Sequence, residues 1–161
     1  QVVKVSFTDG MKFEVLPAFA SLDWFGNTTY QYPDSNMGGN WRSTNPKAEQ
    51  EAMRNKNDSD FGLLFDTCKH MRYIRDNYFS SYHLSGIVID SFVYAAIGGW
   101  SWSQPSSTSS APAGDYEKHL YNVYINNYRY MTSITAPGSN QSVDLSSSKD
   151  CLEKVLYKMT Q

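Results

Sequence analysis

Apolar and polar residues alternate at the start of the chain and then recur with a helical period through most of the remainder. Val2, Val3, Val5 and Phe7 precede Asp9-Gly10, and Phe13, Val15 and Leu16 follow it. This predicts a β-hairpin over residues 2–8 and 11–17, with Asp9-Gly10 as a two-residue type I′ turn and Pro17 ending the second strand. That register sets Glu14 opposite Val5 and near Val3 and Leu16. Residues 18–45 are rich in Gly, Asn, Ser and Tyr, carry neither period, and predict a long loop.

From Asn45 onward the period is helical. Asn45-Pro46 is an N-cap followed by proline at the first helical position, opening a polar helix to about Asn57. A second helix, about 59–78, puts Phe61, Leu64, Phe65, Cys68, Met71 and Tyr78 on one stripe. A third, about Ser81 to Ile97, is apolar nearly all round and therefore central, and Gly98-Gly99 ends it. Residues 100–114 form a surface loop. A fourth helix, about 115–133, carries Leu120, Tyr121, Tyr124, Ile125 and Tyr128. A fifth, about 147–160, carries Leu152, Val155, Leu156 and Met159. The predicted fold class is α+β, a β-hairpin beside a bundle of about five helices. Residues 1–45 form one domain and 46–161 a helical second domain.

Composition narrows the function classes. The 161 residues are 40% hydrophobic and 15% aromatic, a globular balance. A net charge of −2 excludes strong nucleic-acid binding over the whole surface, so any anion site must be local. Cys68 and Cys151 form no C-x-x-C pair and read as reduced core thiols of a cytoplasmic protein. No apolar run reaches the ~18 residues of a membrane span. The chain starts at Gln1, without an initiator Met, directly in a strand pattern. Since a lone hairpin is marginally stable, a larger sheet is expected upstream in a parent protein.

Three groups of residues are candidates for chemistry. Glu14 is a carboxylate inside an apolar strand, which calls for a partner, a metal or an exposed edge; the plain alternative is an edge-strand pair with Lys12. Lys69, Arg72 and Arg75 recur every third position, with both arginines inside the predicted apolar stripe. They suit an anion, or else ion pairs to Asp66, Asp76 or Asp90. Ser80-Ser81-Tyr82-His83 precedes the central helix, where free N–H groups and hydroxyls suit phosphate and a tyrosine suits a base; otherwise Ser is an N-cap and Tyr82 is core. Asp58-Ser59-Asp60 has D-x-D spacing but falls at a helix junction, where it caps. His70, His83 and His119 do not cluster with carboxylates.

Taken in order, these stretches resemble the cyclic GMP-AMP synthase-like and oligoadenylate synthase-like nucleotidyltransferases of the polymerase-beta-type superfamily, including bacterial anti-phage synthases. Asp9-Gly10-Met11-Lys12-Phe13-Glu14-Val15-Leu16-Pro17-Ala18-Phe19 resembles the strand that carries the family's third metal-binding carboxylate, with Glu14 at that position. Gly38-Gly39-Asn40-Trp41-Arg42-Ser43-Thr44-Asn45-Pro46 is similar to the loop into the helical half. Met71-Arg72-Tyr73 resembles the segment whose Lys or Arg reaches a triphosphate, and Ser80-Ser81-Tyr82-His83 the pair that binds phosphate and stacks on a base. Pro137-Gly138-Ser139-Asn140-Gln141-Ser142-Val143 resembles the stretch before the last helix.

The resemblance implies an enzyme that joins NTPs such as ATP or GTP into a cyclic or linear oligonucleotide second messenger in anti-phage defence. It implies Mg²⁺, or Mn²⁺, with Glu14 as catalytic metal ligand. Lys69, Arg72, Ser81 and Tyr82 are the implied nucleotide-binding residues. The family's Gly-Ser motif and paired D-x-D carboxylates have no match in this chain, so the missing N-terminal catalytic half is expected as a partner and the chain alone is expected to be inactive. A non-catalytic nucleotide- or partner-binding module, or a nucleotidyl-transferring toxin of the same fold, are the alternatives.

Overall fold

In the computed structural model of the chain, which describes residues 3–22, 24, 26, 28–34, 40–104, 106–108 and 110–161, the first turn is one residue wider than a two-residue hairpin. The Phe7 N–H donates to the Met11 carbonyl (2.9 Å) and the Gly10 N–H to the Phe7 carbonyl (3.1 Å). The loop is therefore Thr8-Asp9-Gly10, with Gly10 left-handed at φ 87°, the three-residue form in which glycine closes a bulge. Strands β1 (Val3–Ser6) and β2 (Lys12–Val15) pair antiparallel, Val3 with Val15, Lys4 with Glu14, Val5 with Phe13 and Ser6 with Lys12. The expected register, with Glu14 opposite Val5, is corrected by one residue. In a strand such a slip moves every side chain to the other face. One face is apolar (Val3, Val5, Phe13, Val15) and the other polar (Lys4, Ser6, Lys12, Glu14). Phe7 meets Phe13 edge-on at 5.2 Å.

The expected loop over 18–45 is also corrected. It contains a three-stranded antiparallel sheet in the order β3 (Phe19–Leu22), β4 (Thr28–Asp34), β5 (Asn40–Thr44). Cross-strand pairs account for it: the hydroxyls of Ser21 and Thr29 are 2.9 Å apart, and the rings of Phe19 and Trp41 are 5.2 Å apart. Gly38-Gly39 of the quoted motif, and Val2 of the predicted hairpin, lie outside the described residues.

The chain divides into two compact units, Gln1–Pro46 and Lys47–Gln161. The second unit is built around α3 (Gly86–Ala96), whose Val88, Ile89, Phe92 and Val93 are fully buried. Around it stand α1 (Pro46–Ser59), α2 (Leu63–Tyr78), α4 (Asp115–Val123) and α5 (Lys149–Met159). They contribute Met53, then Leu64 and Met71, Leu120, and Leu152, Val155 and Leu156 to one core, which Tyr124, just beyond α4, completes. Among the described residues the fold is thus mixed α+β, with five α-helices and small antiparallel sheets. None of the described helices is long and apolar enough to cross a membrane.

Four boundaries differ from the sequence pattern. Helix α2 starts at Leu63, after a left-handed Phe61-Gly62, and its buried stripe is Leu64, Thr67, Cys68, Met71 and Ile74, with Phe61 and Tyr78 exposed. The stripe is rotated away from Arg72 and Arg75, which flank it. Helix α3 begins at Gly86, not Ser81. Helix α4 passes into a π-helical turn, Tyr124–Tyr128, and the chain then forms a small hairpin, β6 (Ser133–Thr135) and β7 (Ser142–Asp144). Ser146–Ser148 is a 3₁₀ turn that leads into α5.

The β6–β7 connection is seated on α1. Gly138 is left-handed at φ +67°, and a Cβ there would meet the Ala48 carbonyl and lie 2.9 Å from the Ala52 Cβ. Next to it the Ser139 hydroxyl donates to Glu49 Oε1 at 2.8 Å.

Candidate functional site

Helix α2 cannot run straight into α3, because Phe79 to Ser85 must reverse the chain. The reversal begins with a turn in which the Tyr82 N–H donates to the Phe79 carbonyl at 2.9 Å. Ser80 and Ser81 form its tip and are exposed. Ser81 is thus five residues ahead of α3. The helix-dipole argument for phosphate at Ser81 is corrected accordingly, since that field fades within the first helical turn. Tyr82 is 44% exposed and packs edge-on to Phe79 at 6.4 Å. Its ring is partly exposed rather than buried in the core.

The segment after Tyr82 is tied down from both neighbouring helices. Arg75 Nη1 donates to the Leu84 carbonyl at 3.0 Å. Arg72 Nη2 reaches the Gly86 carbonyl at 3.4 Å and both carboxylate oxygens of Asp90, at 2.7 and 2.8 Å. From the start of α5, the Ser148 hydroxyl accepts from the Ser85 N–H at 3.4 Å. Buried Leu84 anchors the middle.

Electrostatics follow this packing. Burial works against the Arg72 charge, but the hydrogen bond and charge of Asp90 outweigh it, and the guanidinium pKa is raised. Burial pushes the nearby Cys68 thiol up, with the Asp90 charge adding to it. Cys151 is raised by burial as well, and both cysteines are free. The Arg75 guanidinium also holds Asp76 at 2.7 Å and keeps that carboxyl below its usual value.

Of the three basic residues in the α2 pattern, each therefore has an acidic neighbour: Lys69 with Asp66 at 3.5 Å, Arg72 with Asp90, Arg75 with Asp76. Lys69 is largely exposed, and its partner Asp66 also accepts from Trp102 Nε1 at 3.1 Å. Arg72 and Tyr82 are brought to one segment of chain, while Lys69 is turned to Asp66 on its own helix.

One cation was missed in the sequence. Lys154 of α5 places its Nζ over the Tyr82 ring, 5.1 Å from the centroid. One helical turn on, Lys158 stands over the Tyr78 ring at 5.3 Å. The signal was available as Lys154 and Lys158 at i, i+4, but nothing local in the sequence says that α5 packs beside the end of α2.

Glu14 belongs to the first unit. Its Oε1 is 3.2 Å from Lys4 Nζ, and both side chains are exposed. Its partner is Lys4 across the ladder, not Lys12. Among the described residues no three His, Cys, Asp or Glu side chains gather closely enough to hold a metal ion. These residues therefore do not fit a Mg²⁺ site by themselves. Asp60, in the D-x-D stretch, accepts from the Leu64 N–H at 3.3 Å, a cap at the head of α2.

A groove of about 500 Å³ lies elsewhere in the second unit, lined by Leu63, Trp100, Trp102, Pro112 and Tyr116 among others. Two of its polar groups are engaged within the fold: Trp102 Nε1 donates to Asp66, and the Tyr116 hydroxyl is 2.8 Å from that of Thr67.

Residues 1–57 match the family model of the Second Messenger Oligonucleotide or Dinucleotide Synthetase domain. The matched stretch takes in the β1–β2 hairpin with Glu14, the β3–β5 sheet and most of α1. It is consistent with the nucleotidyltransferase resemblance carried by the motifs around Glu14. No curated protein and no solved structure matches the chain.

Proposed function

We propose that this chain is part of an enzyme that joins nucleoside triphosphates into a cyclic or linear oligonucleotide second messenger for anti-phage defence. The observation that carries the reading is the match of residues 1–57 to the synthetase domain. In this reading Lys47–Gln161 supplies the nucleotide-holding part. The exposed Tyr82 ring stacks on a base, and the Ser81 hydroxyl at the turn tip donates to a phosphate oxygen. Arg72 holds the carbonyl side of that segment in place through Gly86 and Asp90, and its charge contributes to the field at the phosphates. Lys69 contributes at longer range. NTPs are the substrates, and the cytoplasm, where NTPs are abundant, is the proposed location.

Glu14 is proposed as one donor to a Mg²⁺ or Mn²⁺ ion. Bound there, the metal would stabilise charge on the reacting phosphate. Among the described residues no three such donors gather, so the other donors are sought in a catalytic half outside this chain, and the chain alone is proposed to be inactive. The Lys4–Glu14 pair favours a second reading, a non-catalytic module that binds a nucleotide or a partner, because it leaves Glu14 satisfied without a metal.

The experiment is product analysis. The complete protein containing this chain is incubated with Mg²⁺ and four NTPs. Phosphodiester products that disappear in Glu14→Ala support the enzyme. Absence of product, with ATP still bound by a Tyr82-dependent site, supports the binding module and ends the enzymatic reading.

A further inference from the structure

The groove of about 500 Å³ runs between the start of α2 and the start of α4 and is lined largely by aromatic and small side chains. The rings of Trp100 and Tyr116 pack against each other, 5.5 Å between centroids, and Trp102 is 51% exposed. One charged side chain joins this lining, Glu117 on the first turn of α4. It is partly buried, and no cation among the described residues is within salt-bridge distance of it. The cations on neighbouring turns are engaged elsewhere. Lys69 pairs with Asp66 at 3.5 Å, Lys118 with Asp115 at 3.7 Å, and Lys56 donates to the Gly98 carbonyl at 2.7 Å.

Asp60 adds a second negative group beside Trp102. Its main-chain carbonyl accepts from the Trp102 N–H at 3.0 Å, and its side-chain Oδ2 is buried without a hydrogen-bond partner. Burial raises the Tyr116 hydroxyl pKa, the Thr67 hydroxyl opposes it, and the charges of Cys68, Asp60 and Glu117 add to the rise. An aromatic wall in a negative field is the setting that attracts a cation with an apolar surface.

We infer that this groove binds a small organic cation, an alkylated ammonium on an apolar body, held against the Trp102 ring with Glu117 as its counter-ion. A metal ion is a poorer match, since no three His, Cys, Asp or Glu side chains gather among the described residues. An anion such as a nucleotide is repelled by the same carboxylates, so this site is separate from the turn after α2. The volume is that of a small-molecule site rather than of a protein interface.

The experiment titrates the isotope-labelled chain with choline and with its uncharged isostere 3,3-dimethyl-1-butanol, followed at the indole N–H signals of Trp100 and Trp102. Choline should bind in the low millimolar range, about tenfold tighter than the alcohol. Glu117→Gln should cut that preference to about threefold or less, and Trp102→Leu should weaken choline by a similar factor. Tyr82→Ala should change neither. Equal binding of the two probes by the native chain overturns the inference, whatever the variants do. So does a choline preference undiminished in folded Glu117→Gln, or the absence of indole shifts with choline.

Discussion

Lys4 stands directly across the β1–β2 ladder from Glu14, and its Nζ is 3.2 Å from the Glu14 carboxylate. The contact exists because the hairpin closes with Thr8-Asp9-Gly10 rather than Asp9-Gly10 alone. It places the one acidic residue of β2 on the polar face. Exposed pairs of this kind contribute about 0–1 kcal/mol. Lys4→Ala and Glu14→Gln should therefore each shift the denaturation midpoint only slightly, and raised salt should erase the difference. A loss much above 1 kcal/mol in urea titrations would mean that Glu14 is held by more than Lys4.

Gly138 should resist substitution more than any exposed loop glycine. Alanine there faces both a left-handed backbone and contact with the Ala48 carbonyl. The two effects together predict a loss of roughly 1–3 kcal/mol. Ser139→Ala, which removes the bond to Glu49, should cost about 1 kcal/mol. Chemical denaturation followed by helical circular dichroism measures both. A neutral Gly138→Ala would show that the β6–β7 loop is not seated on α1.

The Arg72–Asp90 pair is half-buried and doubly contacted. Removing one partner strands the other, so Arg72→Ala and Asp90→Ala should each cost about 1.5–3 kcal/mol. The double variant should cost less than the sum of the two, because each single change already breaks the same interaction. Additive losses would contradict a direct pair.

Asp60 is 2% exposed, and burial raises its carboxyl above 3.8, with the Leu64 N–H and the Lys56 charge opposing. A raised carboxyl binds its proton more tightly when folded. Its contribution to stability is therefore most favourable below 3.8, declines as pH rises through the raised folded value, and is constant above it. Asp60→Asn removes that dependence. The stability of Asp60→Asn relative to the native chain should improve between pH 3 and pH 7. Parallel stability curves over that range would contradict the burial account.

The helical unit was legible where apolar periodicity was strong. Leu64, Cys68 and Met71 on α2, and Leu152, Val155 and Leu156 on α5, are buried where the pattern put them. The sheet β3–β5 was not legible, since Thr28 to Tyr32 sits between Gly- and Asn-containing stretches whose turn signals outweighed a short β-prone run. The hairpin register failed on one residue, because Asp9-Gly10 ends a three-residue loop as readily as it forms a two-residue one. At the candidate site, Arg72 and Tyr82 stood out by residue type. Lys154 and Lys158 did not, because their meaning comes from packing between elements about seventy residues apart in the chain.

The central claim is that the turn after α2 holds a nucleotide. Its most direct test is an NMR titration of the chain with ATP. The account predicts shifts at Ser80, Ser81 and Tyr82 and along Lys69 to Arg75, with further shifts at Lys154, and weak affinity on the order of 0.1–1 mM, or about −5 kcal/mol. Tyr82→Ala should remove the response while leaving the fold intact. Shifts confined to the groove around Trp100 and Trp102, or none in a folded sample, would contradict it.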